Sequence, residues 1–126
     1  MPQGTDTQVR RRLREAVQAA ASKKAQEPVL LDVRKLAGIC DYFFLCHGAN
    51  PPQIQAIAEA IELRLKKNYG LLPAHREGGR DGEWLVLDYL DFIVHIFSLK
   101  TRRFYDLERL WRGAPRLALP AGVEPG

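Results

Sequence analysis

The chain of 126 residues carries 19 Lys and Arg against 15 Asp and Glu, a net charge of +4, and is 46% hydrophobic and 27% charged. That length leaves no room for a second core, and the balance is that of a globular chain rather than a disordered one. Two cysteines, Cys40 and Cys46, exclude a disulfide scaffold, no apolar run approaches the roughly 20 residues that span a bilayer, and no signal-peptide core precedes the first charged stretch, so a cytoplasmic protein is expected.

A helix is expected from about Thr7 to Ala25. Thr5 and Gln8 have capping-box spacing, while Val9, Leu13, Ala16, Val17 and Ala20 share one face. The other face carries Arg10, Arg11, Arg12, Arg14, Lys23 and Lys24. An Arg-rich N-terminus also suits an organelle transit peptide, but this stretch has a globular helix pattern and runs straight into a strand. Glu27-Pro28 is expected to end the helix, because the residue before proline is pushed out of the helical region.

Val29 to Val33 reads as a strand with Val29, Leu31 and Val33 on one face, and Lys35 to Cys40 as a connector. Asp41-Tyr-Phe-Phe-Leu-Cys46 reads as a continuous apolar and aromatic run of strand length, as expected of a strand covered on both faces at the centre of a sheet. In the second helix Asn50 can cap, Pro51 suits the first helical position, and Ile54, Ile57, Ala58, Ile61 and Leu65 form a stripe. Gly70 supplies a left-handed stop. Pro73 to Arg76 can only be a short edge strand, followed by a Gly-rich loop from Glu77 to Glu83.

Trp84 to Tyr89 and Phe92 to Phe97 are two β-rich runs joined so closely that a hairpin is expected, although Leu90-Asp91 matches the usual primed turns poorly. Thr101 to Arg112 is helical in pattern, and Gly113-Ala-Pro115 breaks it. The expectation is one α/β (α+β) domain over residues 1–116, a mixed five-stranded sheet flanked by helices. Residues 117–126, rich in Pro and Gly, are expected to form a flexible tail.

Four blocks in this order resemble the Iojap-like ribosomal silencing factors over roughly residues 9 to 113. They are Leu31-Asp-Val-Arg34 through Asp41-Tyr-Phe43; Gly48 with Gln55-Ala-Ile-Ala-Glu59; Glu77-Gly78 through Trp84–Tyr89 and Asp91–Phe97; and Arg103 to Trp111. The chain departs from the family at Ala49-Asn50-Pro51-Pro52, where a hydroxyl pair and a basic residue are usual, and at Leu90 in the hairpin turn. The resemblance implies a homodimer that docks on ribosomal protein L14 (uL14) of the large subunit. There it blocks joining of the small subunit and represses translation. The alternative use of the same contact is assembly of the large subunit. It also implies a nucleotidyltransferase-like fold without the catalytic set.

Metal-dependent nucleotidyl transfer needs carboxylates that converge on divalent cations. Here the relevant turn is Gly48-Ala49 without serine, no Asp-x-Asp occurs, and Asp88 and Asp91 straddle a hairpin tip. No enzyme, cofactor or small-molecule substrate is therefore expected. His47, His75, Cys40 and Cys46 lack zinc spacing, and His95 in an apolar strand reads as a core or interface residue with one hydrogen bond. The Glu77–Gly82 loop lacks the Lys-Ser/Thr pair and following helix of a phosphate-binding loop. The basic face of the first helix is either a solvated face or a peripheral contact to ribosomal RNA. Trp84, Asp88, Tyr89 and Asp91, with Arg103 and Tyr105 nearby, are the expected docking residues: aromatic anchors beside acidic groups that suit a basic ribosomal protein.

Overall fold

Residues 5–36 and 38–125 are described by a computed structural model. Helix α1 runs Asp6–Ser22, opened by the Thr5/Gln8 capping box that the spacing predicts. It ends at Lys23, before Glu27-Pro28 is reached. Pro28 instead lies within strand β1, Gln26–Asp32, where the register slips between Gln26 and Val29 and Glu27 takes a φ of 46°. Proline is tolerated there because β1 is an edge strand with a bulge, so no ladder hydrogen bond is lost.

Strand β2 spans Tyr42–Gly48, and all seven of its residues are buried. It sits between β1 and β5, which explains a run with no polar alternation. Helix α2, Pro51–Tyr69, has Asn50 as its cap, with the Gln53 amide donating to the Asn50 side chain at 2.9 Å. Gly70 closes it in the left-handed region. Strands β3 (His75–Gly78), β4 (Trp84–Asp88) and β5 (Phe92–Ser98) complete a five-stranded sheet of order β1-β2-β5-β4-β3. Only the β2–β5 pair is parallel. The chain thus has the mixed α+β architecture expected.

The β4–β5 turn is tighter than a primed hairpin. The Asp91 amide donates to the Tyr89 carbonyl at 2.9 Å across Leu90, whose φ is 72°, so the tip is a γ-turn. The expected single helix after Lys100 is two: α3, Leu99–Tyr105, and α4, Leu107–Leu110. Asp106 breaks them with a φ of 46° while its side chain caps α4 through the Arg109 amide. A short polar side chain tolerates that conformation and gains a capping bond from it.

Composition predicts fraying after Arg116, yet the segment is laid along the edge of β1. The Asp32 amide donates to Pro115 and the Leu117 amide to Leu30. Leu117, Leu119 and Val123 pack against the core, so this edge of the sheet is covered.

The two sheet faces differ in their cover. Leu30, Tyr42, Phe44, Cys46, Leu85, Leu87, Val94 and Ile96 form one core with α1 and α2. Val29, Leu31, Val33, Phe43, Leu45 and Phe97 face the other way, where Leu107 and Trp111 of the short-helix segment give partial cover.

Two glycines separate backbone freedom from close approach. A Cβ on Gly70 meets nothing, whereas on Gly78, with a φ of 80°, it collides with the backbone carbonyl of Trp84. Gly70→Ala should cost about 1 kcal/mol and Gly78→Ala roughly 2–4 kcal/mol, measured by urea unfolding. Equal costs would refute the β3–β4 packing described.

Candidate functional site

Alternation along β4 puts Trp84, Val86 and Asp88 on the partly covered face, with Leu85 and Leu87 under the helices. Register carries the open face across the sheet: Trp84 lies beside Phe97, Val86 beside His95, and Asp88 beside Ile93. Trp84, Val86, Asp88 and Ile93 all remain half-buried, because α3 and α4 reach only part of the way over.

An aromatic cluster organises this face. The Trp84 ring lies 4.9 Å from Tyr105 and 5.0 Å from Phe97. Phe43 meets His95 edge-on at 5.1 Å and Trp111 at 5.7 Å. The Trp84 indole donates to His95 Nδ1 at 3.2 Å. An indole N–H can only donate, so Nδ1 accepts and the neutral ring carries its proton on Nε2. Burial pushes the His95 pKa down to about 4. His95 therefore stays neutral and holds Trp84 in place.

Arg102 anchors the segment that half-covers the face. Its guanidinium, buried in α3, donates to Glu108 Oε1 through Nε and Nη2 at 3.0 and 2.9 Å. Nη1 reaches the Gln26 carbonyl at 3.3 Å and His47 Nδ1 at 2.9 Å. Glu108 also pairs with Arg116 at 3.2 Å. Arg102 thus ties α3, α4, β1 and β2 together, and Glu108 extends the network to the C-terminal segment through Arg116. Burial, then Arg102 itself, lowers the His47 pKa, keeping that ring neutral and able to accept. Sequence reading missed this network, because its members are spread from Gln26 to Arg116 and no short spacing announces them.

The six expected docking residues separate into three groups. Trp84, Tyr105 and the exposed Arg103 lie together at one end of the face. Asp88 shares that face at the other end of β4, about 13 Å away at strand rise. Its carboxylate accepts the Leu90 amide at 2.8 Å. Tyr89 and Asp91 have little surface to offer. Tyr89 is 2% exposed, turned to the helix side and stacked on Phe92 at 5.1 Å. Asp91 is 7% exposed, and its backbone carbonyl accepts the amides of Asp41 and Tyr42. The two-residue period of β4, continued one position into the turn, already assigns Tyr89 to the side of Leu85 and Leu87. The same period adds Val86 to the open face, and the β4–β5 register adds Ile93.

Among the described residues no group of three or more His, Cys, Asp or Glu is placed to hold a metal ion. The Cys40 and Cys46 thiols are buried, and burial pushes both up to about 12, so they stay protonated. No helix among the described residues is long and apolar enough to cross a membrane. What the open face offers chemically is contact: aromatic area bounded by a carboxylate and a guanidinium.

A family profile described as "Ribosomal silencing factor during starvation" matches residues 6–125. Ribosomal silencing factor RsfS of Bacillus subtilis is 35% identical over 111 residues, 88% of this chain and 93% of that protein. That of Halalkalibacterium halodurans is 36% identical over 104 residues, 82% and 88% of the two chains. A crystal structure of a Chromobacterium violaceum protein superposes with a TM-score of 0.79 at 27% identity, covering 93% of this chain and 97% of that one.

The buried imidazole makes stability depend on pH. Its folded pKa of about 4 lies below the unfolded value of 6.5, so its contribution is complete above pH 6.5 and is lost as pH falls towards 4. That loss is on the order of 3 kcal/mol. Urea unfolding of the wild type and His95→Gln across this range should show a flatter pH dependence in the variant. Parallel curves would mean that His95 is not held neutral.

Proposed function

The chain belongs to the ribosomal silencing factor family, and from that premise we propose that it docks through its open sheet face on ribosomal protein L14 of the large subunit and so blocks joining of the small subunit. Repression follows from occupancy: a bound protein of this size need only overlap the surface that the small subunit must reach. Its strength then depends on affinity and concentration. The proposal involves no catalytic step and places the protein in the cytoplasm.

The observation that carries this reading is the aromatic cluster on a half-covered face. Trp, Tyr and Arg supply most of the energy of protein interfaces when they sit in a well-packed patch. Here Trp84 is pre-positioned by His95 and Tyr105, so little side-chain freedom is lost on binding. Phe104 and Tyr105, 79% and 52% exposed, extend the patch, and Arg103 borders it. Asp88 at the far end gives a negative charge that sets register against a basic partner.

A homodimer is part of the proposal. Exposed Phe104, Tyr105 and Leu110 all lie in α3 and α4. Of these, Leu110 is the one the docking patch does not use, and it supplies apolar surface for self-association.

Asp88→Lys and Tyr105→Ala are each expected to weaken co-sedimentation with isolated large subunits about tenfold, with circular dichroism unchanged. Full binding by both variants would move the site away from this face.

A further inference from the structure

The layer of α1 and α2 covers the opposite face of the sheet and holds the chain's positive excess. Residues 6–24 and 51–69 contain nine of the 19 Lys and Arg but four of the 15 Asp and Glu, so the remainder of the chain is slightly acidic. Three of those four carboxylates are engaged. Asp6 pairs with Arg10 and Arg34, Glu62 pairs with Arg76 of β3, and Glu15 accepts from Asn68 and Tyr69. Of these four, Glu59 is the one that is exposed and has no ion pair among the described residues. By contrast Arg11, Arg14, Lys23, Lys24, Arg64, Lys66 and Lys67 form no ion pair among the described residues.

Three of these cations border one groove. Ala19, Ser22 and Ala60 floor a cleft of about 460 Å³ between the outer sides of the two helices. Lys23, Arg64 and Lys67 stand around it, and no acidic residue lines it. Arg64 and Lys67 are one turn apart on α2, on the same side of the helix. Lys23 is held from the other helix: Gln53 Nε2 donates to the carbonyls of Lys23 and Lys24 at 3.1 and 3.0 Å, fixing the end of α1 against the start of α2.

From this placement we infer that the α1–α2 groove binds the sugar-phosphate backbone of duplex RNA. Unpaired cations from two helices around a shallow, acid-free cleft match a row of phosphates, whose neutralisation releases counterions. The groove offers no exposed aromatic ring. Tyr69 is half-buried with the Arg12 guanidinium over it at 5.4 Å, so unstacked bases have no platform. Backbone and shape recognition of a duplex remains. A lipid surface fits poorly, because Leu63 is the one large apolar side chain lining the groove. The assignment of the polyanion as RNA rests on the ribosomal reading; the capture of phosphate rests on the charges. Because the groove and the aromatic face lie on opposite sides of the sheet, both can be occupied in one complex.

The test is fluorescence anisotropy with a labelled RNA hairpin of arbitrary sequence, over a series of salt concentrations. Lys23→Gln/Arg64→Gln/Lys67→Gln should bind about tenfold more weakly or worse, with a log–log salt slope shallower by roughly 2–3. Lys35→Gln/Arg109→Gln/Arg112→Gln removes the same charge from exposed positions elsewhere and should bind as the wild type does. Asp88→Lys should keep the hairpin while losing the L14 contact, which separates failure of this inference from failure of the docking proposal. Absence of wild-type binding to the hairpin, or equal losses in the two triple variants, would overturn the inference. So would tighter groove-dependent binding to phosphatidylglycerol vesicles than to the hairpin.

Discussion

The parallel pairing of β2 with β5, seven residue pairs from Tyr42–Phe92 to Gly48–Ser98, is the constraint on which the other elements depend. Parallel strands pair poorly when exposed, so each face of this central pair needs cover. On one side the cover is complete: α1 and α2 bury Tyr42, Phe44, Val94 and Ile96. On the other it is supplied by two short helices and the turn after them, which close over Phe43 and Leu45 but leave β4 half open. The open face is therefore a consequence of unequal cover.

That inequality also explains where polar groups are buried. The short helices have too little apolar area to stay down by packing alone, and Arg102 compensates with charge-assisted bonds to Glu108 and neutral acceptors on β1 and β2. His95 is buried under the same thin layer. Its role is positional, since it fixes the edge of Trp84 while presenting no charge. Charge is instead displayed on the far side of the sheet, on the helices. A molecule whose two sides differ this much is suited to sit between a protein surface and a polyanionic one.

Much of the architecture was legible from residue order. The unbroken run at Tyr42–Cys46, the Asn50-Pro51 start, the Gly70 stop and the Thr5/Gln8 box are local signals, and the chain obeys them because no tertiary contact opposes them. Pro28 misled because its tolerance depends on β1 being an edge, a property of the whole sheet. The break at Asp106 was hidden inside a helical pattern that continues on both sides of it. Of the site, the aromatic end around Trp84 and Tyr105 could be read from composition. The inward side of Tyr89 was legible in the period of β4, whereas the enclosure of Asp91 follows from a γ-turn that no common hairpin signature encodes.

On the proposed function, this protein occupies the L14 surface of the large subunit and so prevents the two subunits from meeting. Light scattering of purified large and small subunits, mixed after the large subunit has been incubated with increasing amounts of this protein, measures that directly. The amplitude of subunit association should fall in a saturable way with added protein, and should be restored when Asp88→Lys replaces the wild type. Undiminished association at concentrations where the protein co-sediments with the large subunit would contradict the account.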